Sequence, residues 1–262
     1  MRWSFASAAL GALAPTCSLL AQPTPGTAFA GSRYTGTLYT VNLTTGAATQ
    51  IGAVNSLGLS GGEEVHGLEF APDGQLYALT TQRLLRVNPV TLATSTVVTH
   101  GIVGTSGDLA YAGGGRMLAA LGNRFFSVDI ASGAVAPLGT SNLMLIGALQ
   151  FSPDGSTLYA TEAIAADDRL AIINQATWQT TQLFPLFGAF GTHGIDRALN
   201  GDHYLIDDFS DRLYRVDLGT GLLTSVGATG VQRLDSLAIY IPAPNAATAL
   251  ALGTLCAWRR RR

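Results

Sequence analysis

Along most of this chain apolar and polar residues alternate in short runs, and glycine, proline, asparagine or aspartate closes each run. A period of two over a few residues marks a strand with one buried face, so the sequence predicts many short strands joined by tight turns. One unit recurs: an aromatic or aliphatic residue, a β-branched residue, Asp or Asn, and then a turn. It reads Tyr39-Thr40-Val41-Asn42-Leu43-Thr44-Thr45-Gly46, Phe126-Ser127-Val128-Asp129-Ile130-Ala131-Ser132-Gly133 and Tyr214-Arg215-Val216-Asp217-Leu218-Gly219-Thr220-Gly221. Looser copies are Leu85-Arg86-Val87-Asn88-Pro89-Val90-Thr91 and Ala171-Ile172-Ile173-Asn174-Gln175-Ala176-Thr177. Successive markers Asn42, Asn88, Asp129, Asn174 and Asp217 lie 46, 41, 45 and 43 residues apart. That is the period of a four-stranded propeller blade. The Asp or Asn side chain can accept a bond from the backbone two residues on and so open a turn. Gly46, Gly133 and Gly221 supply the positive φ that closes it. Each marker is therefore expected to join the third and fourth strands of a blade.

A second unit falls between the markers, in Gly67 to Ala78 and again in Ala148 to Ala160. In both, two alternating strands flank a Pro-Asp-Gly turn, Pro72-Asp73-Gly74 and Pro153-Asp154-Gly155. Proline presets the first turn torsion and glycine tolerates the last. Weaker copies begin at Asp108 and Gly194. Residues 235–241 read as an innermost strand with no hairpin after it, and residues 27–34 as a second strand with none before it. Pairing the two would complete a blade from both ends of the domain and remove an open sheet edge. The expected fold is all-β: a single β-propeller over residues 27–241, of about five four-stranded blades. Six blades would need one more repeat. In its F-x-P-D-G-x-L-Y and V-D-x-x-T-G segments the repeat resembles the YVTN and NHL-like families of β-propellers.

The ends differ from this body. Residues 1–22 place Arg2 before a run of small and apolar residues that gives way to Pro23-Thr24-Pro25-Gly26, the layout of a secretory signal peptide; a buried first helix is the other reading. Residues 242–262 begin Pro242-Ala243-Pro244, continue as a mostly apolar stretch and finish in Arg259, Arg260, Arg261 and Arg262. The apolar stretch is short for a permanent bilayer span, and the arginines would stay on the cytoplasmic side. In this order of parts the tail resembles the PEP-CTERM sorting signal, with Ala243 where that motif has glutamate. The resemblance implies passage through the secretion machinery, transient inner-membrane association and recognition by an exosortase-like processing enzyme. An unprocessed tail anchor with a basic flank would give nearly the same localisation, in the bacterial cell envelope or outside it.

Charge alters the picture in one respect. The formal net charge is -2, but all 17 acidic residues and only ten of the 15 arginines fall within residues 23–241, which leaves that body at -7. An acidic body excludes a nucleic-acid partner, since phosphate-backbone binding needs clustered cationic side chains. The two cysteines, Cys17 and Cys256, both lie in the terminal segments, so disulfide and thiolate chemistry are not expected in the body.

Aligning the innermost strands puts His66, Gly107, Gly147, His193 and Asp235 in one column, with Asp108 and Ser236 one position later. In a propeller this column faces one mouth of the central channel. His66, His193, Asp235 and Asp108 are thus candidate ligands for a divalent metal, or an acid and base pair. The competing expectation is that histidine before glycine at this position bonds a neighbouring blade. The acidic pairs Glu63-Glu64, Asp167-Asp168 and Asp207-Asp208 with Asp211 read as solvated loops; the alternatives are that Glu63-Glu64 joins the histidine column and that the Asp207 run, with no basic residue before Arg212, is a calcium loop of irregular spacing. There is no Gly-x-Ser-x-Gly elbow, phosphate loop, His-Glu-x-x-His or cysteine metal spacing. The sequence therefore points to a binding or scaffold module with a polysaccharide or protein ligand. A metal-dependent hydrolase of the lactonase type, with its site at the channel mouth, is the alternative.

Overall fold

The computed structural model describes residues 22–164 and 167–242. Residues up to 21, within the segment expected to be a signal peptide, together with Ala243, Pro244 and the four terminal arginines lie outside the described residues. Twenty strands form five separate four-stranded antiparallel sheets. Blades 2 to 5 follow chain order, and blade 1 joins Leu234–Ile239 to Ala28–Ser32, Leu38–Val41 and Ala48–Gln50. Closure is by antiparallel pairing of Ala28 with Ile239, Phe29 with Ala238 and Ala30 with Leu237. The five-bladed ring and its split closing blade are thus as the repeats imply.

All five marker turns use the same local chemistry. Asn42 Oδ1 accepts from the Thr44 and Thr45 N–H groups at 2.8 and 3.1 Å, and Asn88, Asp129, Asn174 and Asp217 repeat the pair at 2.8 to 3.1 Å. The N–H four residues on then donates to the marker's own carbonyl, at 2.7 to 2.8 Å, in every copy. At that position Gly46, Gly133 and Gly221 have φ of 82°, 72° and 74°, while the looser copies place Leu92 and Trp178 there at 59° and 61°. The turn is therefore set by the Asn or Asp bonds, which hold even a bulky residue in left-handed backbone. Trp178 offsets that strain by stacking on Phe125, with ring centroids 4.9 Å apart.

Apolar residues collect between blades. Each neighbouring pair of blades encloses its own buried cluster: Phe29, Leu68 and Phe70 between blades 1 and 2, for example, and Phe125, Leu149 and Leu158 between blades 3 and 4. The outermost strands are largely exposed, as in Thr94–Thr99 and Thr180–Pro185. Burial thus falls off with distance from the axis, and the ring is held by the sheet faces packing on one another. The five innermost strands, Leu234–Ile239, Val65–Phe70, Gly107–Gly113, Ile146–Phe151 and Thr192–Arg197, pack in sequence around the central channel.

Candidate functional site at the channel mouth

In four blades the innermost strand carries an irregularity where the candidate column lies. His66 is the extra residue between Val65 and Gly67, and Gly147 the extra residue between Ile146 and Ala148. The register also slips across His193-Gly194 and across Asp235-Ser236. A bulge turns the strand and re-aims a side chain that strict alternation would place elsewhere. Here it gathers side chains from separate blades onto the axis at one mouth.

Asp235, fully buried, is the centre. His193 Nδ1 lies 3.1 Å from its Oδ1, His66 Nδ1 3.5 Å from its Oδ2, and the Arg33 guanidinium 3.8 Å away. Arg33 also donates to Glu64 at 2.8 Å and to the Thr105 carbonyl. Asp208, from the loop after the second strand of blade 5, faces the same point, with its Oδ2 3.1 Å from Arg233. Among the described residues, His193, Asp208 and Asp235 form the one group whose potential metal-ligand atoms all lie within 4.8 Å of one another.

Burial dominates the electrostatics. It holds the Asp235 carboxyl up at about 7, with the His193 and Arg33 charges pulling the other way. It pushes His66 down to about 4, Arg33 adding to the effect, so that ring is neutral at pH 7. His193 is likewise lowered by burial, against the opposing pull of Asp235. Ser106 Oγ lies 3.3 Å from His193 Nδ1, the same nitrogen that meets Asp235, and donates to the Ile146 carbonyl at 2.9 Å. A nucleophilic triad needs serine and aspartate on opposite ring nitrogens, so these three residues are not one.

The column separates as it descends the channel. Asp108 Oδ2 accepts from the Leu149 N–H of the next blade at 2.8 Å, a tie across the ring that leaves it outside the His193–Asp235 group. The Asp196 carboxylate makes the equivalent tie to the Ile239 N–H. At the opposite mouth Glu69, Gln150, Tyr111 and Asp196 border a smaller cavity of about 170 Å³. Burial and the neighbouring Asp196 and Asp108 charges push Glu69 well above the usual carboxylate range, and burial holds Asp196 at about 7. Between the unfolded value near ~4 and the folded value the native state holds more protons than the unfolded chain, so these groups lower stability as pH rises through that window. Glu69→Gln is therefore expected to raise Tm at pH 7.5 by about 3 °C, equivalent to ~1 kcal/mol for a domain of this size, and to change it little at pH 5. Thermal melts at the two pH values check this; equal shifts at both would contradict it.

In each acidic run read as a solvated loop at least one carboxylate is buried and structural instead. Glu63 is buried and paired with Arg83 at 2.6 Å. Asp168 accepts from the Ile164 and Thr192 N–H groups at 2.9 and 2.7 Å, and Asp207 from Phe190, Phe209 and Ser210 at 2.9 to 3.1 Å. Each carboxylate satisfies loop backbone that would otherwise be buried unbonded. Asp208 and Arg33, which complete the mouth cluster, were not singled out from the sequence as partners of Asp235. The one signal for Asp208 was the absence of any basic residue in its acidic run before Arg212.

Above the cluster the mouth widens into a cavity of about 980 Å³. Met144, Leu145, Ile164, Phe190 and Phe209 form an apolar wall, and Arg33, Ser106 and His193 a polar base. Met144, Phe190 and Phe209 are exposed, at 77%, 48% and 63%. Arg233 lies over the Phe209 ring, 4.3 Å from its centroid, and fixes the ring beside the opening.

No protein-family model and no curated protein matches the chain. Solved structures do. A chain from the crystal structure of a nidogen/laminin complex is 13% identical with a TM-score of 0.54, over 82% of this chain and 98% of that one. A protein of unknown function from Bacteroides caccae is 12% identical with a TM-score of 0.53, over 83% and 100%. At this identity the likeness is one of fold and supports the propeller body.

Proposed function

We propose that the chain is an exported, envelope-associated β-propeller that acts as a binding module, with the cavity at the Arg33–His193 mouth taking a segment of extracellular polysaccharide. The carrying observation is the cavity itself: exposed aromatic faces around a base of fixed charges and a hydroxyl. Binding sites commonly combine a mostly apolar wall with a few placed polar groups. Phe190 and Phe209 offer flat faces of the kind that pack on the C–H face of a sugar ring. Arg33, Ser106 and His193 offer donors and acceptors for its hydroxyls. The resemblance to a solved nidogen/laminin complex adds that a comparable fold takes part in binding between macromolecules. Export and envelope attachment rest on the two terminal segments of the sequence, through the secretion machinery and an exosortase-like enzyme.

Affinity electrophoresis through gels containing soluble bacterial exopolysaccharides tests the binding reading. The full chain should be retarded, and Phe190→Ala with Phe209→Ala should remove most of the retardation while leaving the thermal melt nearly unchanged, because both rings are exposed. Equal mobility with and without polysaccharide would sink the proposal. Recovery of the full-length chain in the cytosolic fraction of cells expressing it would sink the export part alone.

A further inference from the structure

We propose that the base of the mouth is a metal site, in which a ring nitrogen of His193 and one carboxylate oxygen each from Asp208 and Asp235 bind a first-row divalent cation. The geometry supports this independently of any polysaccharide. The three ligand atoms lie within 4.8 Å of one another, and ligands about 2.1 Å from a shared ion sit ~3 to 4 Å apart, so only small rotations separate the present positions from coordination. Both carboxylates are almost completely buried, yet neither oxygen of Asp235 and not Oδ1 of Asp208 has a hydrogen-bond partner. Buried carboxylate oxygens without hydrogen bonds are unfavourable even beside charged neighbours, and a cation between them offsets that cost.

The backbone also makes room for this arrangement. A Cβ at Gly191 would stand 2.3 Å from Asp208 Oδ1 and from the Phe209 ring, so glycine leaves that carboxylate the space it occupies. The neighbouring charges leave a net attraction for a cation. With both carboxylates ionised, as ligands to a cation must be, Asp208, Asp235 and Glu64 set three negative charges against two on Arg33 and Arg233. Arg233 occupies only Oδ2 of Asp208, which leaves Oδ1 for the ion. His66 Nδ1 stands 3.5 Å from Asp235 Oδ2 without a hydrogen bond to it, and the ring lies outside the group of three. One imidazole with two carboxylates suits Mn²⁺ or Zn²⁺ better than Ca²⁺ or Mg²⁺, which favour all-oxygen shells. The site differs from the set His66, His193, Asp235 and Asp108 expected from the column: Asp208 takes the place of Asp108, and His66 falls outside the group.

The test uses the full chain, stripped with EDTA and titrated calorimetrically with MnCl₂ and with ZnCl₂. Metal content after dialysis and the thermal melt are read in parallel. The expected result is one saturable equivalent of at least one of the two ions and a rise in Tm on its addition. Asp208→Asn and His193→Gln should each weaken binding by about 30-fold and abolish the rise in Tm. Glu69→Gln, at the opposite mouth, should bind as the parent does. If Asp208→Asn fails to fold, His193→Gln carries the comparison. Failure of both ions to bind, or binding undiminished in the folded variants, would overturn the proposal. Retardation by polysaccharide is measured on the EDTA-stripped chain, so loss of one reading leaves the other standing.

Discussion

A chain ending at Arg233 is expected to show no cooperative unfolding transition, where a chain ending at Pro242 melts as a single unit. The residues that separate the two supply the innermost strand of blade 1, which is buried along its whole length. Its removal strips Ala28–Ser32 of one partner, exposes that strand's edge and uncovers the clusters that blade 1 shares with blades 2 and 5. In a ring each blade packs on two neighbours, so the loss is not confined to one sheet. Far-UV circular dichroism and urea titration of the two chains decide the matter. Matching midpoints would mean that closure is not what stabilises the ring.

The second large effect separates two roles of glycine. Gly194 and Gly201 both have strongly positive φ, 83° and 88°. A Cβ at Gly201 would meet nothing within 4 Å, whereas at Gly194 it would stand 2.4 Å from the Leu237 backbone nitrogen on the next innermost strand. Gly201→Ala therefore isolates the conformational strain and should cost about 1 kcal/mol. Gly194→Ala adds a backbone overlap between blades 5 and 1 and should cost more than ~4 kcal/mol. Urea midpoints for both variants give the comparison, and similar losses in the two would show that the ring can widen to accept a side chain there. Gly67 repeats the close approach, with a Cβ position 2.6 Å from the Leu109 backbone nitrogen. Glycine after the channel-facing histidine thus lets neighbouring inner strands come together, which is why both histidines precede one.

Much of the fold is visible residue by residue. The markers predict their turns because the chemistry is local: a side-chain oxygen reaches backbone two and three residues on whatever the rest of the chain does. Leu92 and Trp178 would have argued against two of those turns had glycine been the criterion, yet Asn88 and Asn174 hold the same backbone. The acidic pairs failed the same kind of reading. Their carboxylates answer unsatisfied amides that come near only after folding, such as Thr192 N–H for Asp168, 24 residues away. A run of two acids on a loop looks solvated until the loop's own burial is known.

The candidate site divides along the same line. His66, His193 and Asp235 could be aligned from the repeat because each occupies an equivalent place in its blade. Arg33 and Asp208 lie off the inner strands, and nothing in the spacing ties them to Asp235. By itself, then, the sequence determined the number of blades, the turns and the strand that closes the ring, since these follow from short-range hydrogen bonding and a fixed repeat length. The tertiary structure alone decided that Asp208 and Arg33 meet Asp235 while Asp108 is held by Leu149. That outcome depends on bulges and on the angle between blades, which are set only when the whole ring has packed.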